Sequence, residues 1–119
     1  MKNISNKIKN IITNMTIDSG LVIKEAESLE SDIIFISRIN KILNYNMSLF
    51  NNIVYNEKSY IFYHNQIIKL DDRYIKLSMI VILNEILKYS IMYNKSSYKY
   101  RVFNSLYDIV LESLNELEN

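Results

Sequence analysis

The chain contains no cysteine, proline or tryptophan, and its 119 residues include one glycine and one histidine. Without cysteine there can be no disulfide framework, no cysteine-based zinc site and no thiol nucleophile, and one histidine cannot supply a multi-histidine metal centre. A single glycine excludes the glycine-rich loops that hold phosphates, because these need several glycines. The inventory therefore predicts no cofactor and disfavours the enzyme classes that a motif would reveal.

The composition is biased toward residues that A/T-rich codons encode. Isoleucine, asparagine, lysine and tyrosine make up about half of the chain. This bias is typical of a genome of low G+C content, so the abundance of asparagine and lysine is a weak functional signal. The length and the hydrophobic content of 49% suit one domain over residues 1–119 with one core.

The sequence predicts an intracellular, cytoplasmic protein, located in the host-cell cytoplasm if the source is viral, with no membrane partner. The N-terminal stretch lacks the unbroken apolar core of a signal peptide. The most apolar stretch, residues 77–92, carries Asn84, Glu85 and Lys88 in its middle, which a membrane span tolerates poorly. We therefore expect this stretch to be a buried helix.

Helical spacing of apolar residues predicts a first helix over about residues 2–16, ended by a break at residues 18–20. Apolar positions from residue 22 to residue 47 then step by four and three, with Asn40 as the one polar member. This seam predicts one long helix, which can pack along its own domain or pair with a second copy in a homodimer. The residues assigned to self-association are Leu29, Ile33, Ile36, Asn40 and Leu43.

Between residues 53 and 70 the pattern changes to short β-branched and aromatic runs separated by polar segments. The three runs are residues 53–55, 60–63 and 67–70. Asp71 and Asp72 suit the start of a third helix, and a fourth helix is predicted over about residues 100–117. The predicted fold class is α+β, with two N-terminal helices of which the second is long, a short three-stranded antiparallel meander, and two C-terminal helices.

The net charge of +1 hides separate charged clusters. The acids near the C-terminus, Asp108, Glu112, Glu116 and Glu118, can imitate the phosphates of a nucleic acid and so bind a partner that normally holds one. The first cluster along the chain can do the same. We call it the acidic block, and it consists of Asp18, Glu25, Glu27, Glu30 and Asp32. The alternative is an ordinary solvated helix surface with pairing inside the molecule.

A second cluster mixes cations with tyrosines and contains no acid, a combination that can stack on bases and contact phosphates. We call it the basic block, and it consists of Lys88, Tyr89, Tyr93, Lys95, Tyr98, Lys99, Tyr100 and Arg101. Nucleic acid or another partner is the predicted ligand of this block. Against nucleic acid, an overall charge of +1 gives little long-range attraction to a polyanion.

Residues 23–39 also resemble a helix-turn-helix, with Ala26 in the first helix, Leu29 three residues later, and Ile-Ser-Arg at residues 36–38 in the second. With a β segment following as a wing, the resemblance implies a winged-helix DNA-binding protein. Glu30 stands where glycine would ease the turn, and the nearby acids would face a polyanion. A helix boundary near Glu30 distinguishes this hypothesis from the long helix.

Catalytic candidates are weak. His64 has no recognisable motif of serine, aspartate or glutamate around it. Asp71 and Asp72 are adjacent, and neighbouring side chains on a helix diverge by about 100 degrees, so capping is the better interpretation. No catalytic or metal-binding residue is predicted.

The sequence therefore predicts a small non-enzymatic protein that binds and blocks a macromolecular partner, either a protein or a ribonucleoprotein. In size and composition the chain resembles accessory proteins of phages, plasmids and large DNA viruses, including inhibitors of host defence. The helix–meander–helix–helix layout is similar to that of some phage anti-CRISPR proteins. The resemblance implies a host-defence inhibitor of a mobile element and assigns no residues. The alternatives are a winged-helix or helix-turn-helix regulator of a mobile element, and a small enzyme without a recognisable motif.

Overall fold

The computed structural model describes residues 4–119 as four α-helices and one β-hairpin. The helices and strands, in chain order, are α1 (Asn6–Leu29), α2 (Ile33–Phe50), β1 (Tyr60–Tyr63), β2 (Gln66–Lys69), α3 (Asp72–Ser90) and α4 (Tyr98–Glu118). A π-helical turn, Asn51–Tyr55, continues directly from α2. About three quarters of the described residues are helical. The predicted α+β fold with a three-stranded meander is therefore wrong.

The helices form a bundle in which each helix packs against the next one along the chain, and α4 packs back against α1. Contacts between α1 and α2 show that these two run in opposite directions: Asn40 bonds to Glu27, whereas Leu43 lies beside Gly20 further back along α1. Helices α2 and α3 also run in opposite directions. Lys41 of α2 lies beside Glu85 of α3, whereas Asn52, which follows α2, donates a hydrogen bond to the hydroxyl of Tyr74 near the start of α3.

The core lies between the four helices. Each helix contributes side chains at three- and four-residue spacing, because these positions share one helix face. Met15, Phe35, Ile39, Met79 and Phe103 are among the side chains that are almost completely buried there. Phe35 from α2 and Phe103 from α4 pack edge to face, with ring centroids 5.7 Å apart.

The predicted helix boundaries at the N-terminal end are wrong. Helix α1 runs through the expected break at residues 18–20, and the chain leaves the helix at residues 30–32 instead, which divides the expected long helix. The Asp32 side chain accepts the backbone N–H groups of Ile34 and Phe35, at 3.0 and 3.4 Å, and so caps α2. Residues 2 and 3 of the predicted first helix lie outside the described residues.

The spacing that suggested one helix has a physical explanation. The three residues of the turn replace about one helical turn of 3.6 residues. The four-and-three count therefore continues through the turn, but its positions do not share one face, since Leu29 and Ile33 are exposed. The side of α2 that faces the core consists of Phe35, Ile39 and Ile42, each one residue before a predicted seam position. Gly20 lies within α1 and has no positive φ, so its backbone follows the helix like that of its neighbours.

The predicted first strand, residues 53–55, is also wrong. These residues form most of the π-helical turn, in which the N–H of Asn56 bonds to the carbonyl of Asn51 at 2.9 Å. Ile53 lies four residues after Leu49, and both side chains are buried in the core. Core packing thus keeps this β-branched run helical despite its strand propensity.

Strands β1 and β2 pair antiparallel, with Tyr60 opposite Lys69. His64 and Asn65 form the two-residue turn, and both have positive φ, 48° and 62°, as a hairpin turn of this length requires. The half-buried Ile61 and Ile68 face α2 and α3 and line a cavity of about 370 Å³. The opposite face of the hairpin is exposed.

Candidate protein-interaction surface

Most of the acidic block lies at one end of the bundle, where α1 turns into α2. Glu25 and Glu27 are exposed in the last turns of α1, and Glu30 and Asp32 flank the turn. Asp18 lies almost two helical turns earlier and lines a cleft between α1 and α4. Four of the five predicted acids therefore lie at the same end of the bundle.

The structure brings the acidic and basic blocks together. Lys99, near the start of α4, donates a hydrogen bond to the Asp32 carboxylate at 2.8 Å, and its ammonium lies 5.8 Å from the centre of the Phe35 ring. This bond and the backbone N–H of Phe35 hold the pKa of Asp32 below its usual range. The same bond raises the pKa of Lys99. Asp32 therefore joins α2 to α4 and is not available to a partner.

Two tyrosines of the basic block belong to an interior group of rings that we call the aromatic cluster: Phe35, Tyr89, Tyr93 and Phe103. The rings of Tyr93 and Phe103 stack with centroids 5.7 Å apart. Arg38 donates a hydrogen bond to the Tyr93 hydroxyl at 2.8 Å, and its guanidinium carbon lies 5.7 and 5.6 Å from the ring centres of Tyr89 and Tyr93. This cluster pins the start of α2 to the connection between α3 and α4.

Other members of the basic block also have intramolecular contacts. Lys88 lies 3.6 Å from Glu85, and Arg101 donates to a backbone carbonyl at 2.9 Å. Burial raises the pKa of the Tyr98 hydroxyl, and the charges of two acids at the end of α1 add to the rise. Tyr100 is half-buried and Lys95 is exposed. The tyrosines that suggested base stacking are thus wholly or partly covered by the protein.

The turn between α1 and α2 exposes large apolar side chains beside the acids. Leu29 is 64% exposed, Ile33 81% and Ile34 62%. We define the turn patch as these three residues together with Glu25, Glu27 and Glu30. Leu29 follows Glu25 by four residues and so lies on the same face of α1. An apolar centre with a charged rim on helix ends is the usual layout of a protein-binding surface.

The residues assigned to self-association are separated by the turn. Leu29 and Ile33 are exposed and belong to the turn patch, whereas Ile36 and Leu43 are half-buried and pack against the core. Asn40 donates hydrogen bonds to the Glu27 side chain and to the carbonyl of Ile36. The polar member of the predicted seam therefore joins α1 to α2 within one chain. The exposed Ile34 was not predicted, and the next residue, Phe35, which the same cap bonds, is fully buried.

The weak catalytic candidates lie apart from the turn patch. His64 is at the hairpin tip against the ring of Tyr63, and Asp71 caps α3 by accepting the N–H of Tyr74 at 3.1 Å. In residues 4–119, no three side chains of histidine, aspartate or glutamate are grouped so that they could hold a metal ion. None of the helices in that range combines the length and hydropathy of a membrane span.

Neither family models nor curated proteins nor solved structures match this chain. The fold defines a helical bundle with a β-hairpin between its second and third helices. Any functional inference therefore rests on the surface of that bundle.

Proposed function

We propose that this protein is a non-enzymatic binding protein that holds and blocks a protein or ribonucleoprotein partner through the turn patch. The observation that carries the proposal is the exposure of Leu29, Ile33 and Ile34 among acids. Large apolar side chains clustered in water add little to folding stability and mark interaction sites in many proteins. The helices that carry Leu29, Ile33 and Ile34 are held in place by the hydrogen bond between Lys99 and Asp32 and by the aromatic cluster.

The turn patch defines the chemistry of the partner. The carboxylates of Glu25 and Glu30 beside an apolar centre, with Glu27 bonded to Asn40 nearby, favour a partner surface that is basic at its rim and apolar in the middle. Surfaces that bind nucleic acid are basic, so an effector that handles nucleic acid fits this description. Such a partner would be blocked because the carboxylates take the place of phosphates.

A role as a host-defence inhibitor of a phage, plasmid or virus is the more specific form of this proposal. The A/T-biased composition and the small size support it. The layout similarity to anti-CRISPR proteins gives no support, because it depended on a three-stranded meander that the fold lacks.

The test begins with affinity purification of the tagged protein from its native host, with mass spectrometry of the proteins that it retains. Binding of the identified partner is then compared between wild type and the triple variant Glu25→Lys, Glu27→Lys, Glu30→Lys. We expect the variant to bind at least about tenfold more weakly, because the carboxylates attract the basic rim of the partner.

The matched control reverses an equal number of exposed acids on α4, with Asp108→Lys, Glu112→Lys and Glu116→Lys. This control should retain near-wild-type affinity, and circular dichroism should show both variants to be folded. Equal weakening by the two triple variants, or none by either, would contradict the proposed use of the turn patch.

A DNA-binding regulator is the second candidate, and the helix boundary at residues 30–32 favours it because a helix-turn-helix needs a turn there. However, the start of α2, which would enter the DNA groove, presents Asp32, Ile33 and Ile34, and Arg38 is held by Tyr93. A gel-shift titration with the upstream DNA of its own gene at two salt concentrations tests this candidate. Absence of salt-dependent binding would reject it.

A further inference from the structure

Helix α3 carries a second apolar face on its outer side, and the β-hairpin borders this face only at its N-terminal half, where Leu77 and Val81 line grooves shared with the hairpin. Its inner face is buried through Ile75, Met79, Ile82 and Ile86. The outer face also bears large apolar side chains, each between 42% and 80% exposed. We call these residues the α3 stripe: Leu77, Ile80, Val81, Leu87 and Ile91. The sequence predicts a helix buried on nearly all sides, and the bundle covers one side.

The α3 stripe is nearly symmetric about Asn84, which is itself exposed. Leu77 and Ile91 lie seven residues to either side of Asn84, and Val81 and Leu87 lie three residues to either side. Seven residues are close to two helical turns, so all these positions share one face. A two-fold axis through Asn84 would therefore place Leu77 on Ile91 and Val81 on Leu87 of the second copy. Ile80 would face Lys88, which is the one departure from the symmetry.

We propose that two copies of this chain associate through the α3 stripe, with the two α3 helices antiparallel. A two-fold interface uses the same patch on both partners and so requires a surface that complements itself. The near-symmetry about Asn84 meets this requirement. The antiparallel arrangement also sets the two helix dipoles against each other favourably.

The chemistry of the stripe fits a second copy. Asn84 at the axis carries an amide, which can both donate to and accept from its symmetry mate. Lys88 is the charged residue on the outer face of α3 between Leu77 and Ile91, and the Glu85 carboxylate lies 3.6 Å from its ammonium. Two stripes can therefore approach without strong repulsion, whereas the turn patch, with three acids, would repel its own copy.

The amount of apolar surface also suits a dimer. Five large side chains exposed to this degree reach the upper part of the range of about 300–600 Å² for the largest apolar patch of an ordinary monomer. A standard specific interface buries ~800 Å² per partner, so the α3 stripe would form the apolar centre of the interface and polar residues around it would supply the rest.

Sedimentation velocity of the purified chain over a range of concentrations tests this proposal. We expect a reversible dimer for wild type, and a dissociation constant at least about tenfold higher for Leu87→Glu, because the interface would bury an unpaired charge. Ile33→Glu is the control, since it places the same charge on an exposed apolar site of the turn patch, and it should leave the dimer intact. A wild-type monomer at all concentrations, or equal weakening by both variants, would overturn the proposal.

A second measurement does not depend on a destabilising charge. The chain contains no cysteine, so Asn84→Cys introduces a unique thiol at the proposed axis. With an added oxidant this variant should form a disulfide-linked dimer rapidly, because a disulfide needs Cβ atoms about 3.5–4.5 Å apart. Asn104→Cys, at an exposed position of α4, is the control. Equal cross-linking of the two variants would contradict an axis at Asn84. The assay uses the purified chain alone, so its result does not depend on the proposed use of the turn patch.

Discussion

The aromatic cluster and the α3 stripe come from overlapping parts of the chain and lie in opposite environments. Tyr89 and Tyr93, in a stretch rich in cations, are covered by rings and by Arg38. Leu87 and Ile91, in the most apolar stretch, are exposed. The difference arises because α2 supplies partners to one face at the end of α3 and none to the outer face. The composition of a segment therefore does not show which of its side chains are exposed. The helices packed against the segment determine that.

The largest difference in stability between the two regions is expected when a ring is removed from the aromatic cluster. Phe103→Ala should lower the free energy of unfolding by about 3–5 kcal/mol, because it leaves a cavity in the core. Leu87→Ala should lower it by less than about 1 kcal/mol at dilute protein concentration. Urea unfolding measures both. Similar decreases in the free energy of unfolding for the two variants would mean that the two regions do not differ in burial as described.

A smaller effect is expected from the bond between Arg38 and Tyr93. Tyr93→Phe removes the hydroxyl and keeps the ring, so the free energy of unfolding should fall by about 1 kcal/mol. A double-mutant cycle with Arg38→Met separates the coupling between the two side chains from the loss of each alone. Additive losses would show that Arg38 does not hold the cluster together.

The smallest effect concerns the ion pair at the edge of the cluster. Asp32→Asn keeps a side chain that caps α2 and removes the charge opposite Lys99. Because Lys99 holds the pKa of Asp32 below its usual value of about 3.8, the stabilisation by this pair is complete above that pH and disappears as pH falls through the lowered pKa.

The melting temperature of wild type should therefore exceed that of Asp32→Asn at neutral pH by a small margin, since half-exposed ion pairs contribute little. The margin should close in acid, where Asp32 becomes protonated. Thermal melts of both proteins across pH provide the measurement. A margin that does not change with pH would show that the charge of Asp32 has no part in it.

Helical periodicity predicts the core-facing side of α1 at Ile11 and Met15, which are buried. For α2 it predicts a seam through Ile36, Asn40 and Leu43, and the buried side chains lie one residue earlier. It does not reveal the turn at residues 30–32, because the three-and-four count of apolar residues continues across the turn. Strand propensity fails at Ile53 because packing after Leu49 extends the helical conformation. Both failures have one cause, since a local pattern does not specify what lies across from it.

The candidate surface shows the same limit. Glu25, Glu27 and Glu30 are recognisable from the sequence because charges in a cluster stand out without any structure. Ile34 is not, because an exposed isoleucine and a buried one look identical in a sequence. The α3 stripe is hidden for a related reason: α3 is apolar on nearly all sides, so periodicity cannot distinguish its covered face from its open one.

The contact between α1 and α4 has a consequence for the order of folding. The two helices line shared clefts: Asn10 and Glu116 line one, and Asp18 and Ile109 line another. About a hundred residues of the chain separate the two members of each pair. Closing so long a loop costs entropy that contacts between successive helices avoid. We therefore expect α1, α2 and α3 to pair while the ribosome is still producing α4, and the bundle to be completed when α4 reaches the side of α1 that was left open for it.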